Sequence, residues 1–522
     1  MIRKLATVVV VVSVILTAVP STAVAQTSTS GGPEIIQYGA EGHPSYVVEL
    51  EERADPSKIE DWSNKSGRQL VKLDNSTGIA VVAAPRVQID DEMGLLARVL
   101  ERGVFVDPLG EESYVEDVSP NYRLSLADPK SNTELMNVSD YEPPERAESG
   151  ILSDDPMPHD GMAFDEDANR TTMAESRSYV GADNVSETGS GVDVAVIDTG
   201  ANTAEGRIFG EDGSTSSTLR VLNASKNVIS NETVESAGYD AIEDGSDSRH
   251  GTWVASAIAG DPAGSTHDGV APDAELLVLK ALGDDGSGST ADITRAIRYA
   301  ADHNADIISM SLGSPVYSEA LERALKDARD SGSIVTVAAG NSRQSVKWVA
   351  SPADVDGVIA VGAVNGDEPA NAQSAYFSQI GPDPGTTDDS EGVTNGEGID
   401  VAAPGMKTVA KIATPSATTT NKTLSGTSMA TPIVAGSLAV ALESGSVSTE
   451  EALEEVRSTA RPIPAAGETE VGYGMVGADN LVDGTEPETS QLDARTDEAL
   501  TRDETHRGLS DSQGRTLVGF FG

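Results

Sequence analysis

The spacing of apolar and polar positions divides the chain into two blocks of regular structure. In the first, residues 46–50 predict a strand, 56–66 a helix, and 69–73 with 79–84 a hairpin around Asp74-Asn75-Ser76-Thr77-Gly78. A second helix follows at 93–102 and a last strand at 113–118. This β-α-β-β-α-β order is a small ferredoxin-like α+β domain, a fold with many uses. In the second block, Val/Ile/Ala-rich runs at 192–197, 275–279, 306–312, 334–338, 358–364 and 399–402 read as strands. They alternate with helical patterns at 290–303, 318–330 and 449–459, the last with Ser448 and Glu451 at capping-box spacing. Near-continuous apolar strands separated by helices predict a parallel sheet covered on both faces. Active sites in such sheets gather at the carboxyl ends of the strands.

The remaining segments break these periods. Arg3 and Lys4 precede an apolar run at 5–19, and Ala23-Val24-Ala25 offers a small-residue cleavage site, so 1–25 reads as a signal peptide and the protein as secreted. The run is shorter than the ~20 residues that span a bilayer, which makes an uncleaved anchor the lesser reading. The expected organisation is then a 26–122 domain, a 123–172 acidic linker or N-terminal extension, a 173–484 domain, and a polar tail at 485–522. Two polar inserts, about 203–248 and 382–398, are expected to be surface loops.

Charge sharpens this picture. The 522 residues carry 84 acidic against 36 basic side chains, a formal charge of −48. Nucleic acid is disfavoured as a partner, because phosphate contacts need basic patches. The acids also run through the second block, so tails alone do not account for them. Repulsion at this charge opposes compaction in dilute buffer, and near 1 M salt the screening length falls to roughly 3 Å. The composition therefore predicts a protein adapted to concentrated salt. Cysteine is absent, which excludes disulfides and thiol chemistry.

Three short motifs carry candidate chemistry. Val196-Ile197-Asp198-Thr199-Gly200 ends an apolar strand in an acid, and His250-Gly251-Thr252 opens a helix of small residues. Gly426-Thr427-Ser428-Met429-Ala430-Thr431-Pro432 puts a serine at the mouth of an apolar helix, where unpaired N–H groups point outward. Each alone is commonly a cap or a core residue. The order Asp, His, Ser is the subtilisin order, unlike that of chymotrypsin or the α/β-hydrolases.

With Ser311-Leu312-Gly313, Ala338-Ala339-Gly340-Asn341 and the 358–364 run, these motifs resemble the subtilase family of serine endopeptidases over about residues 175–484. The acidic composition makes the chain most similar to secreted, halophilic halolysin-type members. The resemblance implies a subtilisin-like α/β fold and a triad of Asp198, His250 and Ser428, with Asn341 as oxyanion donor. It also implies substrate-binding edges at Gly286-Ser287-Gly288 and Ser311-Leu312-Gly313. Ala338, Gly340 and Ala350 would line an apolar first specificity pocket; close packing of sheet and helix is the plainer alternative for such small residues. Residues 26–122 resemble the family's inhibitory propeptide, which makes the chain an autoprocessed zymogen and the propeptide its own intramolecular partner. Protein or peptide substrates, a monomer, and no cofactor for catalysis are expected. The loop at 261–268 lacks the family's asparagine-rich calcium pattern, so no metal ligands are named, although acidic loops elsewhere offer oxygen donors. A protein that binds peptides without cutting them, and a processing protease with a single target, are the rival readings.

Overall fold

The computed structural model describes residues 35–126, except 39–41, 52–53, 66 and 86–108, and residues 170–488, except 204–218, 261–268, 344–347, 382–397 and 415–418. The expected signal peptide, the 93–102 helix, most of the acidic linker, the 261–268 loop, the second polar insert and most of the tail therefore lie outside the described residues.

The first block forms an antiparallel sheet. Strand β1 (His43–Leu50) leads into helix α1 (Ser57–Ser63), followed by β2 (Gln69–Asp74), β3 (Ile79–Ala83) and β4 (Val115–Pro120). Their order across the sheet is β4-β1-β3-β2. Alternation of side chains gives the sheet two apolar faces. Tyr46, Val48 and Val82 pack on Ile59 and Trp62, whereas Val47, Ile79 and Val81 pack on Ala291 and Ala320 of the second block.

The second block is built on an eight-stranded sheet. Its elements, in chain order, begin with β5 (Arg123–Ser125), α2 (Met173–Tyr179), β6 (Asp193–Asp198), β7 (Lys226–Asn227), β8 (Glu232–Thr233) and α3 (His250–Ala259). Next come β9 (Glu275–Lys280), β10 (Ser287–Ser289), α4 (Thr290–Asp302), β11 (Ile307–Met310), α5 (Glu319–Asp330) and β12 (Ile334–Ala338). The last are β13 (Ile359–Val364), β14 (Val401–Pro404), β15 (Thr408–Ala413), β16 (Thr419–Leu424), α6 (Thr427–Ser444) and α7 (Ala452–Thr459). The sheet runs β8-β7-β9-β6-β11-β12-β13-β14, parallel except for the short β7–β8 pair. Along β6, Val194 and Val196 enter the core under α3 and α6, while Ala195 and Ile197 enter the core under α4 and α5. Both faces are buried, which is why the strands read as unbroken apolar runs.

Three expectations change. The first polar insert is not merely a surface loop. Its described part contributes β7 and β8 to the sheet edge and buries Leu219, Val221, Val228 and Ile242. These apolar residues are too sparse among polar neighbours to show a period. Helix α7 begins at Ala452, after a turn in which Glu451 N donates to Ser448 Oγ (3.3 Å), so the expected cap closes a turn and not the helix. Residues 123–125, expected to open a linker, form β5 instead. That strand pairs antiparallel with β10, Ser287 facing Ser125 and Gly288 facing Leu124.

Candidate active site

The site is assembled at the carboxyl ends of the parallel strands. Asp198 is the last residue of β6, and its main-chain oxygen accepts from Ala281 N and Leu282 N (3.1 Å each) beyond neighbouring β9. Thr199 N donates to Asp198 Oδ1 at 2.7 Å, which fixes the carboxylate. His250 is the first residue of α3. Its Nδ1 lies 2.9 Å from Asp198 Oδ1 and 3.0 Å from Oδ2, with Asp198 only 1% exposed. A buried carboxylate against one ring nitrogen selects the tautomer that leaves the other nitrogen to act as a base.

A second buried acid holds this pair in place. Asp244 Oδ2 accepts from Thr252 N (2.9 Å), an orphan main-chain donor at the start of α3, and from Thr252 Oγ1 (2.8 Å). Its Oδ1 accepts from Thr199 Oγ1 at 3.0 Å, and Gly251 N donates to that same hydroxyl. Asp244 thus ties the residue after Asp198 to the turn that carries His250. The sequence offered no signal for it, because it caps the helix from eight residues away and not from a local cap position.

Ser428 is the second residue of α6. Its Oγ donates to Ser311 O (3.2 Å), and Ser311 Oγ donates back to Ser428 O (3.0 Å). Pro432 explains the second bond. Proline has no N–H, so the Ser428 carbonyl lacks its usual partner four residues on and takes the Ser311 hydroxyl. Asn341 lies just beyond β12, 1% exposed. Its Oδ1 accepts from Thr427 N (2.8 Å) and Thr427 Oγ1 (3.0 Å), which sets the rotation of the amide. A Cβ on Gly426 would stand 3.1 Å from Asn341 Nδ2, so glycine lets the amide approach the serine turn.

The remaining expected residues surround this centre. Ala350 N donates to Ala339 O (2.8 Å), and a Cβ on Gly313 or Gly340 would lie 3.0 or 3.1 Å from the Ala350 methyl. Gly313, Gly340 and Ala350 thus meet at one small, uncharged spot beside Ala338. Leu312 contributes only main chain, since its side chain is buried in the core. Between the two expected edges runs the chain itself. Leu126 N donates to Gly286 O (2.9 Å), and Ser125 bridges to Gly313 on its other side. Past the cis Ser351–Pro352 bond, burial pushes the Asp354 carboxyl up to about 6. Among the described residues no group of three or more His, Asp or Glu side chains is arranged to hold a metal ion.

Residues 189–486 match the profile of the subtilase family. The chain belongs to the subtilase family. An alkaline protease of Alkalihalobacillus alcalophilus is 31% identical over 384 residues, covering 70% of this chain and 87% of the relative. A thermophilic serine proteinase of Bacillus sp. (strain AK1) is 34% identical over 305 residues, covering 57% and 63%. Subtilisin BL of Lederbergia lenta is 33% identical over 294 residues, covering 56% and 91%. This subtilase is a subtilisin-like serine endopeptidase with the family's α/β fold. It acts on protein or peptide substrates and needs no cofactor for catalysis.

Proposed function

We propose that this subtilase cuts peptide bonds with Ser428 as nucleophile, His250 as base and Asp198 as the acid that orients the imidazole. His250 takes the Ser428 proton as Oγ attacks the carbonyl, then returns it to the leaving amine. Asp198, held by Thr199 and backed by Asp244, stabilises the imidazolium. The Ser428 N–H at the start of α6 and the Asn341 amide donate to the oxygen that becomes negative. Gly286-Ser287-Gly288 and Gly313 pair with substrate main chain, which favours broad specificity. The small spot at Ala350 selects an uncharged side chain.

We further propose that the enzyme is a secreted, salt-adapted zymogen of the halolysin type, and that the 26–127 segment is its ferredoxin-like inhibitory propeptide. One observation carries the zymogen reading. Residues 123–126 lie between the two edges as a substrate strand would, pairing with β10 and with Gly313. Ser311, two residues before Gly313, holds the Ser428 hydroxyl through its carbonyl, so antiparallel counting from the Ser125–Gly313 bridge assigns the scissile bond to the one after residue 127. The first cut then falls between Ala127 and Asp128, slightly beyond the boundary at 122 expected from sequence. Leu124 is buried among apolar side chains and serves as the anchor four residues before the bond. N-terminal sequencing of the first processing product tests this. A start at Asp128 is expected, and a first cut near residue 165 would overturn it.

A further inference from the structure

Asn341 is gripped from two sides, and only one grip comes from the serine turn. On the other side stands Gln379, 4% exposed, in the segment after β13. Its main-chain N–H donates to Gly340 O (2.9 Å), its Oε1 accepts from Ser342 N (3.2 Å), and its Nε2 donates to Trp348 O (2.6 Å). The peptides immediately before and after Asn341 are therefore fixed by one residue. The same amide ties them to the 348–350 wall of the specificity pocket. Gly340 (φ +106°) makes room for it, because a Cβ there would stand 2.0 Å from Gln379 Oε1. Two residues past Asn341 the chain is anchored again. Arg343 N donates to Phe377 O (3.2 Å), and the buried Arg343 guanidinium donates to Ser374 Oγ (3.0 Å) and pairs with Glu470.

We propose that Gln379 is a positioning residue for transition-state stabilisation, holding the 340–342 peptides so that the Asn341 amide meets the developing oxyanion. The inference rests on Asn341 being the oxyanion donor. Thr427 sets how the amide is rotated, and Gln379 sets where its backbone stands. Such donors act within 2.7–3.1 Å of the oxyanion, in general about hydrogen-bond length. A shift of about 1 Å at a reacting centre can cost on the order of 10²-fold in rate. Gln379→Leu keeps the size of the side chain and the main-chain bond to Gly340 but removes both amide bonds.

The test is a double-mutant cycle on the processed enzyme, each variant expressed as the full chain and brought to the mature form with catalytic amounts of wild-type enzyme that are then removed, read as kcat and KM on a chromogenic peptide, with melting temperature recorded alongside. Gln379→Leu should lower kcat by roughly 10- to 100-fold while KM stays within about threefold. In an Asn341→Ala background the same substitution should cost less than about threefold, because there is no amide left to misplace. Equal losses in both backgrounds, or an unchanged kcat in Gln379→Leu alone, overturn the positioning role. An unchanged kcat in Asn341→Ala alone overturns the oxyanion reading and this inference with it. If Gln379→Leu does not fold, Gln379→Met carries the same cycle, since it also lacks the donor and acceptor.

Discussion

Glu49 offers a direct handle on inhibition by the propeptide. It sits on β1, fully buried where the first sheet meets α4 and α5, and its carboxylate pairs with Arg298 and with Arg323 (Nε to Oε1, 3.1 Å). Removing one partner of a buried ion pair costs about 3–5 kcal/mol, an upper bound here. Two features reduce it. The arginine side chains are 16% and 29% exposed, and each keeps another acceptor in the Thr77 carbonyl or the Asp117 carboxylate. Glu49→Gln, which keeps the volume and loses the charge, should therefore weaken docking by about 2–3 kcal/mol, or roughly 30- to 150-fold. The assay adds the separated 26–127 segment to mature enzyme and takes Ki from peptide hydrolysis curves. Circular dichroism of the free segment controls for folding, since Glu49 faces solvent once the segment is released. The loss should persist at several salt concentrations, because buried pairs are screened much less than surface ones. A Ki within about threefold of the unsubstituted segment would refute the charge-anchored interface.

Asn341→Leu should lower kcat by roughly 10² to 10³ with little change in KM, as expected for a donor that acts only on transition-state charge; a mainly KM effect would reassign the residue to substrate binding. Asp354 titrates at about 6 in the fold, above its unfolded value, so its stability contribution is complete below that unfolded value and is lost as pH rises through 6. In a Ser428→Ala background, Asp354→Asn should thus raise stability by about 3 kcal/mol above neutral pH and change little below about pH 4, which thermal melts at both pH values will check. Lowering sodium chloride from molar to about 0.1 M, where the screening length is about 10 Å, should unfold a chain carrying a net −48 charge. An unchanged circular dichroism spectrum and melting temperature of the Ser428→Ala protein at low salt would sink the salt-adapted reading.

Much of the second block was legible because its strands are buried on both faces and its candidate site residues sit at element ends. Asp198 closes β6, His250 opens α3 and Ser428 is the second residue of α6, so each candidate stands at the boundary of an apolar run. Strand β12 coincides with the expected run, β9 and β13 differ from theirs by one residue at one end, and β6 is shifted by one residue. What escaped has physical causes. The β15–β16 hairpin was not anticipated because Thr419–Leu424 is polar and half exposed, with no apolar alternation to read. Strand β5 is three residues long and owes its form to the edges that grip it, not to its own pattern. Asp244 and Gln379 act through contacts across the fold, with partners up to tens of residues away in sequence. A glutamine between Ser378 and Ile380 carries no local mark of such a role.

In the proposed function one serine performs both proteolysis and removal of the propeptide. Full-length wild-type and Ser428→Ala proteins, purified and incubated in concentrated sodium chloride, should be compared for casein hydrolysis and, by intact mass, for loss of the N-terminal segment. The wild type is expected to do both, while Ser428→Ala stays folded, leaves casein intact and keeps the segment attached. Casein hydrolysis or self-processing by Ser428→Ala would contradict it.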